Sequence, residues 1–523
     1  MSADAARPGA ALRGALMVCG TTSDAGKSRV VTGLCRALAR RGIRVAPFKA
    51  QNMALNSYVT QSGHEIGRAQ GVQALAAGVE PEVDMNPILL KPSSDRTSQV
   101  VVLGQPTGHF DAAAYHAAKV GLRSTVVAAL ERLRARFDVV LVEGAGSPAE
   151  INLLDGDLVN LWLARTAGIP AVVVGDIDRG GVFASLFGTV ALLPDDLRRC
   201  VNAFVINKFR GDPALLEPGL AELRARTGVP TIGVLPWIDG LHLDAEDSLA
   251  LREPRRAEAA PAASAPAAGA APAGDILDVA VVRFPRISNF TDVDALALEP
   301  GLAVRYVTHS AALGAPDLVI LPGTKATVAD LAWLRARGLD AALAALPPSA
   351  TVLGLCGGYQ MLGRAIDDPV ESGAGAVAGL GRLPAVTRFE AAKITRPRRG
   401  TALDRPVTGY QIHHGRTASE APWVRLDDEW GAEPEGAADD SSREAAAYGT
   451  SLHGLFESDG FRAAFLAAVA ARRHKRFTAS GLSFAAAREA QFDRLADLVE
   501  AHLDMAAVES LIASGAAAVR EPV

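Results

Sequence analysis

Residues 354–358 read Gly-Leu-Cys-Gly-Gly, a G-x-C-x-G pattern suited to a cysteine nucleophile. Flanking glycines relieve the crowding of a sharp strand-to-helix turn, and the positive end of the following helix stabilises a thiolate. The apolar run at 350–353 supplies the strand, and the sequence from Tyr359 onward supplies the helix. A buried structural cysteine would need no such surroundings. Cys19 and Cys35, in apolar contexts, read as inert core residues. The thiol of Cys356 needs a base within hydrogen-bond reach. Among ten histidines, His453 in TSLHGLFE is the candidate because it follows a short strand-like segment, while His413 and His414 in GYQIHHGRT are expected to shape the pocket. The oxyanion formed during attack needs backbone donors, and Gly323, in the LPGT turn after a strand, and Gly357 are placed to supply them.

A second chemistry is written at residues 20–28, Gly-Thr-Thr-Ser-Asp-Ala-Gly-Lys-Ser, which follow the apolar run 15–19 and precede an amphipathic helix ending near Arg41-Gly42. The spacing G-x5-G-K-S is one residue longer than the usual Walker A pattern. The context is that of a phosphate loop all the same. Backbone N–H groups along Gly20, Thr21, Thr22, Asp24, Ala25 and Gly26 can face the phosphates of ATP, Lys27 can reach the β and γ oxygens, and Ser28 can ligate Mg2+. The strand-like run 137–142 ends in Glu143, the expected second magnesium ligand. The run PAVVVGDID delivers Asp176 and Asp178 to the same edge, with Arg179 next to them. One carboxylate at a strand end is often a cap; three beside a phosphate loop point to metal and phosphoryl chemistry. Asn207, closing another apolar run, is offered to the adenine or is simply a polar strand end.

The elements that must position these residues are short β-branched runs alternating with Ala/Leu/Arg-rich stretches of helical period. That alternation predicts an α/β fold of two doubly wound, mostly parallel-sheet domains. Residues 259–274, AAPAASAPAAGAAPAG, carry no charge and cannot build a core, so they read as a linker. The expected division is a phosphate-loop domain over 13–253, a linker over 254–274, a domain carrying the cysteine nucleophile over 275–470 and a helical extension over 471–523.

A length of 523 residues exceeds one core at roughly 100–200 residues per domain. The net charge of -5, with both signs interspersed, leaves no basic stripe for nucleic acid. No apolar run approaches the roughly 20 residues of a membrane span. Four cysteines at irregular spacing form neither a zinc site nor a disulfide framework and fit a reducing cytoplasm.

The longer phosphate loop, with VEGAG at 142–146, resembles the dethiobiotin synthetase group, which activates carboxylates by phosphorylating them. The elbow at Cys356 with His453 resembles the class I, or triad, glutamine amidotransferases. Five segments, KAQNMALNSYVT, EGAGSPAEINL, GDIDRGGVFASLFGT, GYQIHHGRT and LHGLFES, resemble the cobyric acid synthase family, so the likeness spans both halves outside the linker and tail. The resemblance implies ATP- and glutamine-dependent amidation of the b, d, e and g carboxylates of a corrinoid, adenosylcobyrinic acid a,c-diamide. It adds Lys49 and Asn52 to Asp176, Asp178 and Arg179 as candidates for the substrate and phosphoryl site. Class I members carry the triad acid two residues after the histidine, where this chain has Leu455; Glu457 lies four residues on, and the orienting acid stays open. The competing readings are the sister a,c-diamide synthase and, from another class, a P-loop assembly ATPase of the chromosome-partitioning type with an inactive glutaminase tail. The intact elbow argues against the latter.

Overall fold

A computed structural model of the chain describes residues 12–241, 275–428, 431–439 and 446–515. The expected linker over 254–274 lies outside the described residues.

The first half is built on six parallel strands: β1 (Gly14–Gly20), β2 (Val45–Phe48), β3 (Val139–Glu143), β4 (Ala171–Asp176), β5 (Val201–Phe209) and β6 (Thr231–Pro236). Their order across the sheet is β6-β5-β4-β1-β3-β2. Alternate side chains of a strand point to opposite faces. Met17, Val140 and Val173 therefore enter one core, and Leu16, Val18, Leu141 and Val172 enter the other. Both faces are covered by helices, which explains why these strands read as unbroken apolar runs. Because the strands are parallel, their carboxyl ends share one edge; Val18 pairs with Glu143, Gly20 with Val174 and Asp176 with Asn207. Helix α1 (Lys27–Arg40) leaves that edge directly after β1, and α2 (Arg68–Ala76) packs beside it.

The second half repeats the plan. Strands β7 (Leu277–Val282), β8 (Leu302–Val307), β9 (Leu318–Leu321), β10 (Thr351–Leu355), β11 (Ala437–Ala438) and β12 (Ala447–Thr450) take the order β8-β7-β9-β10-β12-β11. All neighbours are parallel except β11, which runs against β12. Helix α3 (Gly357–Leu362) follows β10. The mostly parallel α/β reading thus holds in both halves. The structure adds a long antiparallel ribbon, Ala385–Ala402 paired with Arg405–Ser419, that the sequence pattern did not announce. Its charged, partly exposed strands lack the apolar continuity by which the central strands are recognised.

Helix α4 (Asp459–Arg472) runs across the boundary expected at residue 470, since its buried face of Phe461, Phe465, Leu466 and Val469 continues to Ala470. Helices α5 (Phe484–His502) and α6 (Met505–Ser514) return to the first half. There Phe492, Ala496, Val499, Val508 and Ile512 share a core with Val30, Leu34 and Leu38 of α1. Each such apolar side chain contributes about 1.5–3 kcal/mol when fully buried. The exposed ion pairs beside them, Arg36 with Glu489 at 3.0 Å and Arg40 with Asp497 at 2.6 Å, add little.

Candidate active site

The loop after β1 reaches α1 through Gly26, whose left-handed backbone (φ 98°, ψ 18°) no other residue adopts easily. A Cβ there would also lie 2.0 Å from the Asn207 amide. Asn207 donates from that amide to the Ala25 carbonyl at 2.9 Å, and Lys208 donates to the Asp24 carbonyl at 2.8 Å, so the end of β5 straps the loop from outside. Lys27, almost wholly buried, directs its ammonium at the carbonyl oxygens of Thr22 (2.8 Å), Ser23 (3.2 Å) and Gly146 (3.1 Å). Three oxygens around one ammonium are the environment a polyphosphate would provide.

Ser28 donates its hydroxyl to Glu143 at 2.9 Å, and Lys49 pairs with the same carboxylate at 3.0 Å. Gln73 of α2 donates to its other oxygen. Burial opposes the charge of Glu143, yet the Lys49 ammonium prevails and holds the carboxyl below its usual range, so it is ionised at neutral pH. Among the described residues no three carboxylate, histidine or cysteine groups converge as a metal cage. Magnesium bound mainly through phosphate oxygens and water needs only one or two protein ligands, which Ser28 and Glu143 fit.

The other candidates at this edge divide. Asn52, buried, donates to Gln70 at 3.0 Å. Asp176 is paired with Lys208 at 2.6 Å, Asp178 with Arg210 at 3.2 Å, and Arg179 with Asp24 at 3.0 Å. All three carboxylates are thus engaged by cations, but only Glu143 also accepts from the Ser28 hydroxyl of the loop. Beside Asn207 lies a shallow cleft lined by Arg29, Asn207, Lys208, Trp237, Leu495 and Leu498, the last two from α5.

At the second sheet, Cys356 turns the chain from β10 into α3 with φ 49° and ψ −106°. A non-glycine residue at such angles is strained by about 1–3 kcal/mol and persists only where its surroundings enforce it. They do so by close approach. A Cβ on Gly358 would lie 1.9 Å from the Leu321 carbonyl oxygen, and one on Gly354 would lie 2.6 Å from the Tyr359 nitrogen. Gly357 backs onto Thr324, and Gly323 faces the His453 ring, so both backbone turns expected to hold the oxyanion flank the thiol.

His453 is fully buried, with its ring stacked on Tyr410 at 5.2 Å between centroids. Its Nδ1 lies 2.7 Å from Asp292, whose other oxygen accepts from the Gly454 N–H at 2.8 Å. Burial pushes the imidazole toward neutrality, but Asp292 and then Cys356 outweigh it and raise its pKa to about 10. A histidine so held keeps a proton beside the sulfur. The sequence had not flagged Asp292. It lies 161 residues ahead of His453, in a short 3-10 segment, Phe290–Leu298, and not at a strand end. Glu457 turns the other way, to Arg68 at 3.2 Å, and Leu455 is core.

A small pocket opens beside Cys356, lined by Ser288, Lys325, Gln360, His413 and His414. Burial lowers both histidines, His413 to about 3, so they are neutral polar walls. Cys19 and Cys35 are buried with thiols pushed far above their ordinary range.

Comparison with known proteins covers both sites. Residues 16–250 match the CobQ/CobB/MinD/ParA nucleotide binding domain, and residues 278–461 match the CobB/CobQ-like glutamine amidotransferase domain. The chain is 56% identical to the cobyric acid synthase of Nocardia farcinica over 516 residues, 97% of this chain and 98% of that protein. It is 55% identical to that of Saccharopolyspora erythraea over 512 residues, covering 96% and 95%, and 54% identical to that of Frankia casuarinae over 518 residues, covering 96% and 98%. With a nucleotide-binding half and an amidotransferase half in the order and extent of these relatives, the chain belongs to the cobyric acid synthase family.

Proposed function

We propose that this chain converts adenosylcobyrinic acid a,c-diamide to cobyric acid by ATP- and glutamine-dependent amidation of its b, d, e and g carboxylates. The observation that carries this reading is an ordered Cys356–His453–Asp292 array in the same chain as the Lys27–Ser28–Glu143 site.

In this reading the Cys356 sulfur attacks the side-chain amide carbon of glutamine, and the backbone N–H groups at Gly323 and Gly357 donate to the oxygen. His453 passes a proton to the departing nitrogen, so ammonia leaves and a glutamyl thioester remains for water to hydrolyse. Asp292 holds the imidazole in register throughout. In the first half, residues 20–28 would cradle the phosphates, Ser28 and Glu143 would hold magnesium, and Asn207 would stand on the side of the base. Bound magnesium ATP supplies a phosphoryl group that turns a carboxylate oxygen of the corrinoid into a leaving group. Lys27 neutralises charge on the group in transfer, and ammonia then displaces phosphate to give the amide.

The test is a mass spectrum followed over time, with ATP, magnesium, glutamine and either cobyrinic acid or its a,c-diamide. Four successive additions to the diamide support the proposal. Two additions to the free acid, with the diamide inert, replace it by the sister synthase, and ATP hydrolysis without glutamate release replaces it by an assembly ATPase.

A further inference from the structure

The first half of the chain reaches into the second at the acid of the glutaminase array. Asn56 accepts from the Phe290 N–H at 3.1 Å, and the neighbouring Ser57 N–H donates to the Asn289 side chain at 3.0 Å. All of these groups are buried, and Asn56 and Ser57 are 0% exposed. Asn289 sits in the left-handed region (φ 49°, ψ 39°), and its carbonyl accepts from the Asp292 N–H at 3.0 Å. Its side-chain amide lies 3.4 Å from Nε2 of His453. The two cross-domain bonds therefore close on the turn that aims Asp292 at His453 and not on a remote surface.

The same segment leads back to the phosphate site. The Asn56 carbonyl accepts from the Arg68 N–H at 3.2 Å, at the start of α2. Five residues along that helix, about 7.5 Å at 1.5 Å per residue, Gln73 donates to Glu143. The Arg68 guanidinium holds Glu457 of the second half. One short helix thus touches the carboxylate beside Ser28 at one point and the surroundings of His453 at another.

We infer that Asn56, a residue of the nucleotide-binding half, is a positioning residue of the glutaminase, fixing the 289–292 turn so that Asp292 stays on His453. The inference rests on the reading of Cys356 and His453 given above. Glutamine hydrolysis is then a property of the docked pair of halves and not of the second half alone.

The test uses the full chain carrying Asn56→Ala, with amidation followed from glutamine and, separately, from ammonium chloride. Loss of one buried hydrogen bond at the turn is expected to lower kcat for glutamine hydrolysis about tenfold. KM for glutamine and the ammonium-supported rate should stay within about twofold. An unchanged kcat, a change confined to KM, or a parallel fall with both nitrogen sources overturns the inference. Cys356→Ala, assayed alongside, separates the two levels. Glutamine hydrolysis surviving in that variant sinks the glutaminase reading and the inference with it, whereas its loss there with normal turnover in Asn56→Ala sinks the inference alone.

Discussion

At Cys356 the chain passes from strand to helix through φ 49°, ψ −106°, and at Gly26 through φ 98°, ψ 18°. Both turns sit at the carboxyl edge of a parallel sheet, but their side chains stand differently. His453 already rests on Asp292 at 2.7 Å, with its proton secured beside the thiol. Lys27, by contrast, is bound to three carbonyl oxygens of its own protein, and Ser28 to Glu143. The sulfur centre is held together by side chains of the array itself. The cation of the phosphate site rests instead on backbone oxygens of its own loop and of the 143–146 turn. A buried ammonium left without acceptors would be costly, which explains why an empty-handed lysine is not what the loop presents.

The contrast breaks most sharply with Cys356→Ala. It should lower glutamine-dependent amidation by at least about 10³-fold, since the nucleophile has no substitute, while ammonium still supports turnover. Assays with each nitrogen source decide it, and near-normal use of glutamine would refute the assignment. Lys27→Ala should cost about 10²–10³ in rate with either source, as loss of a preorganised charge does. Retained ammonium-dependent turnover would place the phosphate chemistry elsewhere. Asp292→Asn should lower glutamine-dependent kcat about 10²-fold, the lower end of what a positioned base contributes, with the ammonium rate unaffected. Equal losses in both assays would mean a general collapse instead.

The smallest effect is on stability. The folded-state pKa of His453, about 10, exceeds its ordinary 6.5. Its pairing therefore stabilises the fold fully below about pH 6.5 and loses that contribution as pH rises through 10. Calorimetric Tm should fall more steeply between pH 7 and 10 in the unaltered chain than in Asp292→Asn. Parallel curves would show that Asp292 does not hold the proton.

What could be read from the sequence follows the same division. The loop 20–28, Glu143, Cys356 and His453 all sit where an apolar run stops, and a strand end is visible in one dimension. Asp292 has no such marker: it enters from a 3-10 turn, and its partner lies 161 residues on. Just after His453, where the class I pattern places the acid, stand Leu455, a core residue, and Glu457, which faces Arg68. Asp176 and Asp178 also end a strand, but the cations facing them come from Lys208 and Arg210, whose approach depends on how β5 leaves the sheet. The contacts of Asn56 were beyond reach for a related reason, since they exist only after two separately built halves have docked.

Helices α5 and α6 give the molecule an order of assembly. The groove along α1 that receives Phe492, Val499 and Ile512 belongs to the first half, but its filling is specified some 450 residues later in the chain. During synthesis at about 5–20 residues per second, the nucleotide-binding half must wait tens of seconds with that apolar seam open. It reaches its final core only after the amidotransferase half has been made and has carried the closing helices back. Completion of one catalytic unit is thereby tied to production of the other, and a chain interrupted before residue 484 would present an unfinished, adhesive face along α1.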